Sequence, residues 1–265
     1  MRIGIVAPSC RLDPDLPARL TDLAQGEFGV DAPELVFHPQ CFLSAGHFAG
    51  PDAVRIDALV DYANDPAIDA LWFARGGYGA CRVAEKALQR FGPAARKKRY
   101  MGFSDAGYLL GGLQARGIGT LAHGPMPADL NRLGGEGAVL RALRWFLAPT
   151  LPKGPPQLAF NMTVLSQMIS TPLAPDFAGR VLMLEEVSEY MYRIDRTLFH
   201  LTNTAAVRSV AGIRLGRCSL IPENDPDFEQ SAEQLCAHWC HLAGIPFLGR
   251  ADIGHDSDNA IIAFG

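Results

Sequence analysis

Long hydrophobic runs, a charge excess of one sign and closely paired cysteines are all missing from this chain of 265 residues. No segment approaches the roughly 20 apolar residues of a membrane-spanning helix, which excludes a membrane partner from the expected set. The N-terminal apolar stretch ends at Pro8 and Ser9. That is shorter than the roughly 7–15 apolar residues of a secretory signal, so the cytoplasm is the expected location. The formal net charge of −4 gives nucleic acid no electrostatic reason to bind. The one basic run, Arg96-Lys97-Lys98-Arg99, reads as a solvated loop ahead of a strand. Cysteines Cys10, Cys41, Cys81, Cys218, Cys236 and Cys240 include no Cys-x-x-Cys pair. In a reducing compartment they are expected as thiols. Cys236 and Cys240 share a helix face with His238 and His241 nearby, but Leu235, Trp239 and Leu242 mark that face as apolar, so they read as small buried hydrophobes rather than metal ligands. Internal repeats and low-complexity segments are also absent.

What is present is an ordinary globular composition and a regular alternation of elements. Hydrophobic residues at 48% and charged residues at 20% supply enough apolar surface for one large domain or two modest ones. Apolar runs at Arg2 to Ala7, Glu34 to His38, Ile68 to Ala74, Tyr100 to Phe103 and Thr120 to Ala122 read as strands. Between them, Asp15 to Ala24, Asp52 to Ala63, Cys81 to Phe91 and Asp105 to Arg116 have helical spacing. This rhythm predicts a parallel sheet covered by helices on both faces. After a helix at Gly137 to Leu147 come Pro149, Pro152, Pro155 and Pro156, a linker signal. Beyond it, helices are expected at Asn161 to Ile169, Tyr192 to Thr204 and Gln230 to Ala243. Strands are expected at Arg180 to Val187, Gly212 to Ile221 and Asn259 to Phe264. The expected organisation is α/β, with a domain of residues 1–148, a linker and smaller mixed α/β domain of residues 149–265, and a ligand cleft between them.

Four places could carry chemistry. Ala74-Arg75-Gly76-Gly77-Tyr78-Gly79 follows a strand and lacks both the Walker spacing and Gly-x-Gly-x-x-Gly; its glycines fit a tight turn or a backbone that approaches a ligand. Gly102-Phe103-Ser104-Asp105 puts a serine where a strand ends and a helix begins. Helix amides there could stabilise an oxyanion, and the same position suits a helix cap. Leu184-Glu185-Glu186-Val187 runs a buried strand into two carboxylates. Alternation can turn one inward, where it needs a donor such as histidine, and the other toward solvent; the alternative is that both are solvated at the strand end. Among the histidines, His123 and His255 each follow or precede a strand, and position alone leaves the choice between them open.

Taken in order, these segments resemble the LD-carboxypeptidase family. The resemblance runs from Ala7-Pro8-Ser9 through Ala74-Arg75-Gly76-Gly77-Tyr78-Gly79, Gly102-Phe103-Ser104-Asp105 and His123-Gly124-Pro125-Met126. It continues through Leu184-Glu185-Glu186-Val187-Ser188-Glu189 and Tyr192-Arg193-Ile194-Asp195-Arg196 to Ile253-Gly254-His255. It implies a Rossmann-like N-terminal domain and a smaller C-terminal one, with a serine nucleophile at Ser104, a charge-relay glutamate at Glu185 and a catalytic histidine at His255. The implied reaction is hydrolysis of the bond that releases terminal D-alanine from a murein tetrapeptide, through an acyl-enzyme and without metal or organic cofactor. Backbone amides of Asp105 and of Gly77 or Gly76 are the candidate oxyanion hole. Arg75 and Arg196 are candidates for the substrate carboxylate, a role that suits the guanidinium fork. The resemblance also allows a homodimer. Two other readings are a microcin-type peptidyl-nucleotide hydrolase of the same family and a non-catalytic peptide-binding module. The chain departs from the family where Ala159-Phe160 replaces the usual Gly-Gly, and it ends soon after Phe264.

Overall fold

Apolar segments bounded by turn residues become strands, and segments with helical spacing become the helices that cover them. The computed structural model describes residues 1–151 and 154–265. The first half is built, in chain order, from β1 (Arg2–Val6), α1 (Leu16–Phe28), β2 (Glu34–Phe37), α2 (Asp52–Asn64) and β3 (Ala70–Phe73). It continues with α3 (Ala80–Leu88), β4 (Arg99–Gly102), α4 (Gly107–Ala115), β5 (Thr120–His123) and α5 (Gly135–Leu147). The second half holds β6 (Gln157–Asn161), α6 (Met162–Met168), β7 (Val181–Val187), α7 (Met191–Asn203), β8 (Gly212–Ser219), α8 (Ala232–Ala243), β9 (Phe247–Arg250) and β10 (Ile262–Ala263).

The first sheet runs β10-β5-β4-β3-β1-β2. Strands β1 to β5 pair in parallel, and β10 lies antiparallel against β5. Both faces are covered, which is why these strands read as continuous apolar runs. Leu71 and Phe73 of β3 enter the core on one side, while Ala70 and Trp72 enter the core on the other. The order of the chain reverses between β1 and β3. In a doubly wound sheet the connections leave to opposite faces at that point, and a crevice opens at the strands' C-terminal ends. The Ala7-Pro8-Ser9 turn and the Arg75-Gly76-Gly77 loop flank this crevice.

The second sheet, β6-β7-β8-β9, is parallel throughout. It is joined to the first by one continuous core that includes Leu109 and Leu113 of α4 together with Phe160, Leu165, Met168 and Leu184. Helix α4 is buried along nearly its whole length. At Gly111 a Cβ would lie 2.5 Å from Met168 Sδ, so glycine is what lets α6 seat this closely on α4.

Four sequence expectations need correction. The expected helix at Asn161 to Ile169 begins instead at Met162, because Gln157–Asn161 forms β6, and β9 had no expected counterpart. Of the proline-rich linker, Pro152 and Lys153 lie outside the described residues. The basic run is not wholly solvated: Lys98 is buried and its Nζ donates to the carbonyls of Asp65 (2.6 Å) and Ile68. Finally, the last strand shrinks to two residues and returns to the first sheet, pairing Ile262 with His123 and Ala263 with Ala122.

That return ties the halves together, because buried Phe264 follows β10 and packs against Phe160 of β6 at 5.5 Å between ring centroids. Removing a buried phenylalanine side chain typically costs about 3–5 kcal/mol. Phe264→Ala is expected to fall in that range, measured as the drop in unfolding free energy on urea titration.

Candidate active site

Strand β4 ends at Gly102, and a short 3-10 turn over Ser104–Ala106 leads into α4. Ser104 has φ = 57°, a left-handed backbone that a non-glycine residue holds only under constraint. The constraint is local crowding. A Cβ at Gly102 would lie 2.9 Å from Phe73 Cδ2, and one at Gly76 would lie 2.9 Å from Ser104 Oγ. Two glycines therefore make room for a sharp turn that points the hydroxyl into the crevice. The Asp105 side chain locks this turn. It is buried, and its Oδ2 accepts from the Ser9 hydroxyl and from the Ala80 amide at 2.8 Å. Burial pushes its carboxyl up from the ordinary value, against the hydrogen bonds from Ser9 and Ala80 that favour the charged form.

The imidazole comes from the other end of the chain. His255 Nε2 lies 3.0 Å from Ser104 Oγ, and His255 Nδ1 lies 2.5 Å from Glu185 Oε2. The carboxylate can only accept, so Nδ1 carries the proton and Nε2 faces the hydroxyl as an acceptor. Glu185 sits in β7 and is fully buried. Its other oxygen, Oε1, has no hydrogen-bond partner among the described residues. The imidazole also packs on Phe103, 4.9 Å between ring centroids. Glycine again permits the approach: a Cβ at Gly216 of β8 would lie 2.6 Å from Ile253 Cγ1 and 3.0 Å from Glu185 Cβ.

The structure thus brings Ser104, His255 and Glu185 into one hydrogen-bonded chain. It also places Gly76 against Ser104, and the amides of Gly76, Gly77 and Asp105 have no acceptor among the described residues. The two arginines are placed differently. Arg75 is exposed beside the crevice, and its side chain makes one hydrogen bond among the described residues, to the Arg11 carbonyl at 3.4 Å. Arg196 lies over the Tyr192 ring and lines a hollow of about 300 Å³ with Thr163, Ser166 and His200, a lining that includes none of Ser104, His255 or Glu185.

Glu186 overturns the expectation that the second glutamate faces solvent. It is buried and accepts from Asn161 Nδ2 at 2.6 Å, the Thr163 hydroxyl at 2.7 Å and the Thr163 amide at 2.9 Å. It fastens the start of α6 to β7. His123 is also buried, and its Nε2 donates to Asn259 Oδ1 at 3.1 Å, so it supports the His255 loop from behind. Sequence reasoning missed Arg55, which is fully buried and donates to the carbonyls of Pro8 and of Gly79 (3.0 Å). Its spacing four residues before Leu59, on the apolar face of α2, was the available signal.

Comparison with known proteins assigns the family. The sequence matches the LD-carboxypeptidase N-terminal domain over residues 3–124 and the LD-carboxypeptidase C-terminal domain over residues 158–265. A Synechocystis sp. protein, named only provisionally as a carboxypeptidase, is 31% identical over 100% of this chain and 89% of its own.

The chain belongs to the LD-carboxypeptidase family.

A family relative named murein tetrapeptide carboxypeptidase, from Pseudomonas aeruginosa, is 27% identical over 100% of this chain and 91% of its own. The crystal structure of muramoyltetrapeptide carboxypeptidase from Oxalobacter formigenes shares the LD-carboxypeptidase fold with a TM-score of 0.82 at 20% identity, covering 100% of this chain and 93% of that one. The microcin C7 self-immunity protein shares it with a TM-score of 0.75 at 15% identity, over 99% of this chain and 95% of that one. Family membership makes the chain a peptidase, and Ser104, His255 and Glu185 occupy the crevice of its shared frame.

In this LD-carboxypeptidase family member, burial pushes His123 down to about 4 from 6.5. The unfolded chain takes up a proton at this residue as the pH falls through its ordinary value, while the folded chain stays neutral until the lower one. The contribution of His123 to stability therefore declines on acidification between the two values. His123→Gln keeps a donor for Asn259 and removes the titration. Urea midpoints compared at about pH 7 and about pH 4.5 are expected to show a smaller acid loss in the variant than in the parent.

Proposed function

We propose that the chain is a serine-type L,D-carboxypeptidase that removes terminal D-alanine from murein tetrapeptides during cytoplasmic recycling of the cell wall. The observation that carries this reading is the Ser104–His255–Glu185 contact chain, at 3.0 Å and 2.5 Å, assembled from both sheets. The carboxypeptidase names of the relatives supply the substrate class.

In the proposed mechanism His255 Nε2 accepts the proton of Ser104 as its oxygen attacks the carbonyl beside D-alanine. Glu185 holds the Nδ1–H tautomer and stabilises the imidazolium once it forms. Negative charge develops on the carbonyl oxygen, where the amides of Asp105 and of Gly76 or Gly77 are the candidate donors; one such donor typically lowers a barrier by about 3–4 kcal/mol. The imidazolium returns its proton to the departing amine, D-alanine leaves, and water hydrolyses the acyl-serine by the same route in reverse. Arg75, exposed and next to the Gly76 that packs on Ser104, is the better placed of the two arginines to meet the substrate's free carboxylate.

The direct test is release of D-alanine from purified murein tetrapeptide. The parent is expected to release it. Ser104→Ala is expected to lose about 10⁴-fold or more in kcat, and Glu185→Gln about 10²- to 10⁴-fold. Full activity of Ser104→Ala refutes the nucleophile. Cleavage of a peptidyl-nucleotide but not of tetrapeptide assigns the chain to microcin-type hydrolysis, and tight peptide binding without turnover makes it a binding module.

A further inference from the structure

The imidazole that joins the two sheets is carried on a loop. Residues 251–261 between β9 and β10 contain no helix or strand, yet a working triad needs its base held to within roughly 0.5 Å. Packing alone does not explain this precision, because Asp252 and Asp256 are partly exposed and polar.

One residue grips the loop on both sides of His255. The Arg217 amide, on β8, donates to the Ile253 carbonyl at 2.8 Å. Its guanidinium forks onto Asp256, with Nε 2.5 Å from Oδ2 and Nη2 2.8 Å from Oδ1. Its remaining Nη1 lies 2.5 Å from Asp252 Oδ1. A planar fork meeting a carboxylate this way fixes orientation as well as distance.

The position of Arg217 on β8 gives the grip its reference point. Strand β8 pairs with β7, and the register pairs Leu184 with Leu215 but Glu186 with Cys218. Opposite Glu185, β8 thus carries an extra residue, a bulge of the kind that re-aims side chains next to active sites. Gly216 and Arg217 are the residues of that bulge. The same backbone irregularity therefore faces Glu185 and holds the loop that brings His255 to it. Burial acts to raise the Asp256 carboxyl, but the Arg217 fork, together with the Asp258 amide and the Arg132 charge, holds the group below the ordinary carboxylate value, so the pair stays charged near neutrality.

We infer that Arg217, acting through Asp256, is a positioning residue that sets the His255 imidazole against Glu185. The inference rests on the triad reading given above, but its test does not depend on turnover. The imidazole in free histidine favours the Nε2–H tautomer, whereas a Glu185-bound His255 holds Nδ1–H. Chemical shifts of ¹⁵N-histidine report which tautomer is present, and His255→Gln identifies the signals. The parent is expected to show Nδ1–H at His255. Arg217→Gln and Asp256→Asn are each expected to shift the population toward Nε2–H, and Arg217→Lys to restore little, because an ammonium cannot fork. On murein tetrapeptide, each variant is expected to lose about 10- to 100-fold in kcat with KM nearly unchanged. The double variant is expected to lose no more than the single ones, as for two residues acting through one contact. A structural role alone would lower the unfolding temperature and leave the tautomer of the folded protein unchanged.

Retention of Nδ1–H in both single variants, or its absence in the parent, overturns the inference. If the tautomer shifts as expected while the parent releases no D-alanine, the positioning role stands and the proposed reaction falls.

Discussion

One imidazole spans the gap between the two sheets. His255 reaches a hydroxyl fixed to the end of β4 on one side and a carboxylate fixed inside β7 on the other. Hydrogen bonds weaken steeply with misalignment, so the separation of the sheets has to be set independently of the site. Two features set it. Helix α6 seats on the glycine face of α4, where a side chain at Gly111 would collide with Met168. And the chain, after passing through the second sheet, returns to hydrogen-bond along β5 and places Phe264 on Phe160. The site is rigid because its two walls share one core.

Buried carboxylates tie the frame at its critical turns. An unpaired carboxylate in a protein interior is costly, and one with a full set of donors is a directional tie. Asp105 binds the Ser9 turn and the start of α3 to the Ser104 turn. Glu186 binds the start of α6 to β7. Asp129 accepts from the Met126 amide at 2.7 Å and orients Arg132, which donates to the His255 carbonyl. Against these, Glu185 stands apart: one oxygen binds His255 and the other has no partner among the described residues. Of the four, it is the one whose unpartnered oxygen, among the described residues, is completely buried.

The alternation of strands and helices was legible because the central strands of the first sheet are buried on both faces and read as short continuous apolar runs, while helices such as α3 and α5 keep one apolar stripe. Strand β6 was not legible, since Gln157 to Asn161 runs straight from prolines into a helix and carries no turn signal of its own. The two-residue β10 was visible as an apolar tail, but its sheet was not, because pairing with β5 is decided by tertiary packing. At the site, Ser104 stood out by its place at a strand-to-helix turn, while its left-handed backbone did not, since no glycine marks it. The alternation rule failed at Glu186 because α6 packs over the face that would otherwise be solvent. Physical reading left His123 and His255 equal; one is buried as a neutral support and the other sits at the crevice, a difference set by residues 70 to 151 positions away in the chain.

Two kinds of residue meet in this crevice, and different physics holds them. The hydroxyl, imidazole and carboxylate are fixed by interior contacts, so any change in their surroundings disturbs the core as well. Arg75, beside the crevice, is exposed and is not paired with a carboxylate among the described residues. Residues of that second kind can be exchanged without repacking anything, since surface substitutions rarely alter stability by more than about 0.5 kcal/mol. The hydroxyl, imidazole and carboxylate are therefore constrained by folding, whereas an exposed side chain such as Arg75 is not. The same separation fits a frame that is kept in a solved structure sharing 20% of its residues with this chain.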